Sequence, residues 1–462
     1  NDNELSISPN VGALSAYLNR IMTGQFATRF REDIKSFLRK LPGIGDSALK
    51  WARYAEESLK GFFLPGLLFE ELGFKYVGPL PGHKIESLIE TFRNVRQLRG
   101  PILVHVLTTK GKGYPPAEKD PVTFHGVGPF RPETGELCNH QGGCLTYTEA
   151  FGKTMVKLAR ENPCLVGITA AMPQGTGLDA FAAEFPQRFF DVGIAEQHGI
   201  TFAAGMAVEG FIPVVAIYST FMQRAYDQIL HDVCLQNLPV VLALDRGGIV
   251  GADGSTHQGL FDFSYLRHIP NLVVMAPKDE NELQHMLKTA VGCGRPASLR
   301  YPRGSGWRGS LEEEAKELPV GKAEVLREGR DVVLLAIGST VKDALEAASR
   351  LQEEEVSAAV VNARFVKPLD GELIASLAAR CPRLITVEEN VLQGGFGSAV
   401  LELLEEKGIS GAKVKRLGIP DTFVEQGSPD ALRRKYGIDS AGIVRAAEEL
   451  LQMRKAESAV PG

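Results

Sequence analysis

Cysteine is scarce: six residues, at positions 138, 144, 164, 234, 293 and 381, are spread through 462 with no CxxC pair. That excludes a dense disulfide framework and fits reduced thiols in a cytosol-like compartment. Cys138, His140 and Cys144 lie close together, but no second cluster at zinc-site spacing accompanies them, so they read as loop residues. Long apolar runs are missing as well. None approaches the ~20 residues that span a bilayer, and no membrane partner is expected. A positive charge excess is also absent. The net charge of −5 gives no general attraction for nucleic acid, so an anionic substrate must be met by locally placed arginines. The sequence opens on Asn1-Asp2-Asn3-Glu4 without an initiator Met, signal peptide or transit-like segment, so a truncated or processed cytoplasmic chain is expected.

What is present is an ordinary globular composition, 44% hydrophobic and 23% charged, long enough for two or three domains at roughly 100–200 residues each. From Asn10 to about Glu90 the apolar spacing is mostly helical, with breaks at Pro42-Gly43, Pro65-Gly66 and Pro79 to Gly82 and little β-structure. Pro101 to Leu107 reads as a buried strand running into the glycine- and lysine-rich Thr109 to Tyr114. Residues 115–144, rich in Pro and Gly, suit a linker. Beyond Thr146 short apolar strands alternate with helical patterns. The strands fall at 164–169, 189–194, 214–218, 240–245, 272–276 and 297–301, and the helices at 196–208, 222–235 and 280–291. That alternation predicts a parallel α/β sheet. After a second linker over about 304–319, strands at 332–337, 358–362, 384–387 and 414–417 form a third unit.

In an open parallel sheet, ligands bind where strand carboxyl ends lead into helices, and the unusual residues of the middle unit fall at such points. Glu196 starts the helix after the strand at 189–194, where a carboxylate also suits the helix dipole. Tyr218, Phe221 and Arg224 follow the next strand. Arg246 then opens the run Gly247 to Gly259, whose five glycines flank Asp253 and His257 and suggest a loop that folds over a ligand. Arg300 and Arg303 end another strand. Arginines gathered at the strand ends of one sheet favour a phosphate-binding pocket. Gln393 to Ser398 is glycine-rich but lacks the Lys-Ser/Thr of a phosphate loop, so it reads as a tight strand-to-helix connection.

The runs IAEQH, YSTFMQRAYDQ, DRGGIVGADGSTHQG, RYPRG, RFVKPLD and TVEEN resemble the 1-deoxy-D-xylulose-5-phosphate synthase family, within the transketolase-like thiamine-diphosphate enzymes. NDNELSISPNVGA, LFEELGFKYVGPLPGH and KGKGYPPAEKDPVTFHGV extend the likeness over nearly the whole chain. The resemblance implies an α/β, transketolase-like fold of successive domains with mostly parallel sheets flanked by helices. Residues 1–140 would be the remainder of the diphosphate-binding domain plus linker, 141–315 the pyrimidine-binding domain and 316–462 the C-terminal domain.

It implies a homodimer that condenses pyruvate with D-glyceraldehyde 3-phosphate, using thiamine diphosphate and Mg²⁺, in a pathway feeding isoprenoid, thiamine and pyridoxal biosynthesis. Glu196 would hydrogen-bond the pyrimidine N1′ and Phe221 would stack on that ring. Tyr218, Arg246 and Arg303 would hold the substrate phosphate, with Arg224 a further contact. Asp253 and His257 would face the bound substrate from the loop. Tyr114 would lie near the cofactor and His125 near the substrate. Asn3, with the backbone carbonyl of Leu5, would coordinate Mg²⁺.

The sequence departs from the family in two places. No Gly-Asp-Gly, the other half of the cofactor motif that ends at Asn3, occurs anywhere in it. Pro81 and Lys84 stand where the family has acids around His83, to which no role is assigned. A transketolase, a 2-oxoacid dehydrogenase component and a non-catalytic fragment therefore remain alternatives.

Overall fold

The computed structural model describes residues 1–3, 5, 7, 66–138 and 145–458. It divides into two compact units, 1–141 and 142–462. The expected breaks at Pro42-Gly43 and Pro65, and the residues His140 and Cys144, lie outside the described residues.

In the first unit β1 (Lys75–Pro81) pairs in parallel with β2 (Ile102–Leu107). Sequence periodicity predicts β2 and misses β1. Gly78, Pro79 and Pro81 look like a break, yet proline is tolerated on a strand that leaves one edge unpaired. Gly78 is required because a Cβ there would lie 2.6 Å from the carbonyl oxygen of His105. On the opposite edge of β2 the chain start adds a short stretch. Asp2 N donates to Val106 O (2.7 Å) and Thr108 N donates to Asp2 O (2.9 Å), which sets Asn3 beside the carboxyl end of β2. The expected linker contains a helical turn at Pro115–Lys119 and a shorter one at Thr123–His125.

The second unit holds two sheets. The larger contains β3 (Leu165–Thr169), β4 (Phe189–Asp191), β5 (Ile212–Tyr218), β6 (Val241–Asp245), β7 (Val273–Met275) and β8 (Ala297–Arg300). The smaller contains β9 (Glu324–Arg327), β10 (Val332–Ala336), β11 (Ala358–Asn362), β13 (Arg383–Val391) and β14 (Lys413–Ile419). β12 (Phe365–Lys367), from the RFVKPLD run, leaves the smaller sheet and adds to the edge of the larger one.

The strand orders are β12-β7-β8-β6-β5-β3-β4 and β14-β13-β10-β11-β9, parallel throughout except at β12 and β9. Strands β6 and β10 are buried along their whole length, as expected of parallel strands covered by helices on both faces. One apolar core joins the sheets: Val215, Leu242 and Val274 belong to the same buried cluster as Val333, Leu335 and Val361.

Helices form where the sequence supplies starts. Thr146 caps Tyr147–Glu161 in a reciprocal capping box with Glu149, and Asp279 caps Glu280–Gly292. The helix Glu196–Val208 has the expected bounds. The expected single helix at 222–235 is instead a chain of turns. These are α at Ser219–Met222, 3₁₀ at Gln223–Ala225, α at Tyr226–Gln228 and π at Ile229–Cys234. β4 stops at Asp191, short of the expected Ile194, because the chain must turn to deliver Glu196.

Candidate active site

The turn after β4 is built by Asp191, whose Oδ1 accepts hydrogen bonds from Ala171 N (2.8 Å) and Gly193 N (2.9 Å). It thereby ties the loop after β3 to the loop after β4. Gly193 takes a positive φ of 72°, and the chain enters the helix at Glu196. The Glu196 side chain is almost wholly buried, and its Oε2 has no hydrogen-bonded partner among the described residues. Arg224 Nη1 lies 2.9 Å from that oxygen as an ion pair without hydrogen-bond alignment. Arg224 therefore sits on Glu196 rather than beside the other arginines. A buried carboxylate oxygen that accepts no hydrogen bond leaves room for a ligand donor to satisfy it, even with a cation beside it.

At the end of β5, Tyr218 and Phe221 are stacked with ring centroids 5.9 Å apart. The Arg246 guanidinium lies over the Tyr218 ring at 4.1 Å, a cation–π contact. Burial pushes the Tyr218 hydroxyl up to about 12, so it stays protonated and able to donate. Arg246 adopts φ 58°, a left-handed conformation that is strained for arginine and turns the chain at the end of β6.

Arg246 Nη1 donates to Asp253 Oδ2 (2.6 Å), and Arg303 Nη1 lies 2.9 Å from the same oxygen. His257 packs edge-on against Phe221 at 5.4 Å, and Thr220 Oγ1 donates to Thr256 O (3.1 Å). Tyr218, Phe221, Arg246, Asp253, His257 and Arg303 thus form one cluster, joined by these pairwise contacts.

Arg300, which the sequence groups with Arg303, is turned inward. Its Nε lies 3.1 Å from Asp262 Oδ2 and its Nη2 donates to Gly259 O (3.0 Å). It is a buried structural cation rather than part of an anion pocket. Behind the cluster Asp245, fully buried, accepts from Thr148 Oγ1 (2.8 Å), and burial raises its carboxyl to about 7. Asp191 and Asp245 were not singled out by sequence reasoning; the only signal was their position at strand carboxyl ends.

In the first unit a cavity of about 340 Å³ is lined by Asp2, Asn3, Leu5, Thr109, Lys110 and Glu118, among others. Asn3 Oδ1 accepts from Leu5 N (3.2 Å), so the two residues expected as metal ligands share one turn. Among the described residues no cluster of three or more His, Cys, Asp or Glu side chains could hold a metal. Tyr114 packs against Phe124 and Phe130 and donates to Pro132 O (2.9 Å). His125 is held below its usual pKa by burial and then by the charge of Lys110. His83, left without a role, accepts at Nε2 from Thr109 N (2.7 Å) and so fixes the backbone entering the lysine-glycine stretch.

Comparison with known proteins gives this geometry a context. Residues 1–108 match the family model for 1-deoxy-D-xylulose-5-phosphate synthase. Residues 144–306 match the transketolase pyrimidine-binding domain, and 321–443 match the transketolase C-terminal domain. The 1-deoxy-D-xylulose-5-phosphate synthase of Syntrophus aciditrophicus is 62% identical over 455 residues, covering 98% of this chain and 70% of that protein. Synthase 1 of Geobacter sulfurreducens is 60% identical over 456 residues, covering 99% and 72%.

A solved structure described as a split gene transketolase, an inactive beta4 tetramer, is 34% identical with a TM-score of 0.60; the match covers 67% of this chain and 99% of that one. The pyrimidine-binding domain implies thiamine diphosphate. The transketolase and dehydrogenase alternatives give way to the synthase function at this level of identity. The chain belongs to the 1-deoxy-D-xylulose-5-phosphate synthase family.

Proposed function

We propose that the chain condenses pyruvate with D-glyceraldehyde 3-phosphate, releasing CO₂ and forming 1-deoxy-D-xylulose 5-phosphate, with Glu196 as the carboxylate that serves the cofactor pyrimidine. The observation that carries this reading is the buried Oε2 of Glu196 at the carboxyl end of the larger sheet, which is ion-paired with Arg224 but accepts no hydrogen bond among the described residues. Bound thiamine diphosphate supplies a carbon nucleophile and an electron sink, which protein side chains lack. Glu196 holds a proton at the pyrimidine N1′, and Phe221 offers its ring face for stacking.

Arg246, Arg303 and Tyr218 hold the substrate phosphate. Both guanidiniums converge on one Asp253 oxygen, so the pair is spaced to grip a single anion, and a phosphate held there displaces the Asp253 carboxylate. Asp253 and His257 act on the reacting groups from the glycine loop. Arg224 is read as a further substrate contact that also neutralises Glu196. In the first unit, Asn3 Oδ1 and the Leu5 carbonyl offer oxygen ligands suited to Mg²⁺, with Tyr114 on the cofactor side and His125 on the substrate side.

The domain reading follows the same pattern. Residues 1–140 are assigned to diphosphate binding with a linker, 141–315 to pyrimidine binding and 316–462 to the C-terminal domain. A homodimer is proposed from the helix Glu196–Val208. No Lys, Arg, Asp or Glu occurs from Gln197 to Val208, yet His198, Thr201, Gly205 and Val208 are exposed. An exposed helix face without Lys, Arg, Asp or Glu suits burial in a larger assembly, since interface cores are depleted of charge.

The test is pyruvate-dependent CO₂ release in the presence of D-glyceraldehyde 3-phosphate, thiamine diphosphate and Mg²⁺, with the ketose phosphate identified as product. Turnover with a ketose donor and none with pyruvate would overturn the proposal.

A further inference from the structure

The loop Gly247–Gly259, which carries Asp253 and His257, is backed by the C-terminal segment rather than left free. Its two stems pair with each other: Gly248 N donates to Gly259 O (2.7 Å) and Gly259 N returns a bond to Gly248 O (2.9 Å). Beneath them lies Glu389 on β13, fully buried. Glu389 Oε2 accepts from Ile249 N (3.0 Å), and Oε1 accepts from Arg433 Nε (2.5 Å). The Glu389 carbonyl accepts from Arg300 Nη2 (2.5 Å), the same group that donates to Gly259 O (3.0 Å). One residue of β13 therefore reaches one stem directly and the other through Arg300.

Gly248, at φ 81°, is demanded by this approach, because a Cβ there would collide with Glu389 Oε2. Nearer the tip, Gln258 binds Val250 N through Oε1 (2.8 Å) and Glu425 O through Nε2 (3.1 Å). Gly427 N donates to Gly251 O (3.4 Å).

We infer that Glu389 is a positioning residue for the reaction: its carboxylate fixes the backbone at Ile249 and so holds Arg246 and the loop bearing Asp253 and His257 in register. The inference rests on the roles proposed above for those three residues. A buried carboxylate accepting from a main-chain N–H and paired with Arg433 is strong and directional, whereas the glycines around it supply none of that rigidity themselves. The C-terminal segment thereby acts on the substrate end of the site without touching the substrate.

Two measurements test this. In the unmodified chain, hydrogen exchange at the amides of Ile249 and Val250 is expected to be as slow as at Glu388 to Val391. Exchange as fast as at the loop tip overturns the inference, whatever the activity. Second, Glu389→Gln with Arg433→Met keeps an acceptor for Ile249 without stranding a charge, whereas Glu389→Leu with Arg433→Met removes the acceptor.

The Gln variant is expected to keep the KM for glyceraldehyde 3-phosphate within about 3-fold. The Leu variant should raise it by at least about 5-fold and speed Ile249 exchange about tenfold, leaving the pyruvate KM within about 2-fold. Loss of folded molecules alone lowers kcat and leaves KM in place. A Leu variant with unchanged aldehyde KM and unchanged exchange refutes the role. If that variant does not fold, exchange in the unmodified chain decides. Protected amides in a chain lacking the proposed activity would leave the clamp standing and the functional reading refuted.

Discussion

Glu196 illustrates how little a residue type says until its surroundings are known. In the sequence it is a carboxylate in a first helical turn, where the dipole alone accounts for it. In the structure it is buried, paired with Arg224, and has one oxygen that accepts no hydrogen bond, which a dipole partner at the surface would not be. Glu196→Gln is isosteric and leaves the packing in place. Turnover should therefore fall by about 100-fold or more while the melting temperature stays within about 2 °C. Near-normal kcat would remove Glu196 from the mechanism.

Asp191 belongs at the same scale. Its carboxylate satisfies two backbone N–H groups in the turn that delivers Glu196. Asp191→Ala should cost about 1–3 kcal/mol in urea unfolding and lower turnover as well. Loss of stability with unchanged kcat would confine Asp191 to holding the fold. Tyr218, Phe221, Arg246 and Arg303 could be picked out from their positions at strand ends, and Asp253 and His257 from the glycine-rich loop that follows Arg246. That Arg224 turns to Glu196 and Arg300 turns inward could not, because each depends on a partner distant in sequence or on burial.

Among elements, regular helices and fully buried strands were legible, since an apolar run between turn signals has few alternatives. β1 was missed because glycine and proline carry the same local signal in an edge strand as in a loop. The segment 222–235 reads from its apolar spacing as one helix but is a chain of shorter turns. Apolar periodicity does not distinguish α from π spacing over so few residues.

The glycine-rich run Gln393 to Ser398 was read as a structural connection, and the structure supplies the cause. Glu388 accepts from Phe396 N (2.6 Å) and Gly397 N (2.8 Å), so the amides a phosphate would use are already taken. Burial raises the Glu388 carboxyl to about 7 in the fold. A carboxyl raised above its unfolded value favours the folded state below about pH 4, and that contribution is lost as pH rises through about 7. Glu388→Gln lacks the ionisation. The stability of the parent chain relative to this variant should decline from pH 5 to pH 8, followed by urea unfolding at each pH. A constant difference would mean the carboxylate is already ionised throughout the range.

At the scale of the whole molecule, two sheets share one core and β12 crosses from one to the other, so the second unit is a single packed body. Sequence patterning gave two βα units in that stretch, with no means of seeing the exchange. The same patterning predicts that Glu196–Val208 is a helix but does not say why its outer side carries no charge.

Val208 and Phe211 are exposed where the chain enters β5, and Leu235 is exposed on the way to β6, so all three lie at the amino edge of the larger sheet. The helix packs against the π-helical segment that ends just before Leu235. Exposed apolar side chains gathered along such a face mark an association surface. If that surface joins two copies of this chain, Gly205→Arg places a large cation at an exposed position where an added Cβ has open space around it. The substitution therefore leaves the monomer fold intact and obstructs only the pairing. Sedimentation should find a dimer for the unmodified chain and a monomer of about half that mass for Gly205→Arg, with the melting temperature lowered by the lost association. An unmodified chain that sediments as a monomer at high concentration, or a Gly205→Arg variant that stays dimeric, would move the interface elsewhere or remove it.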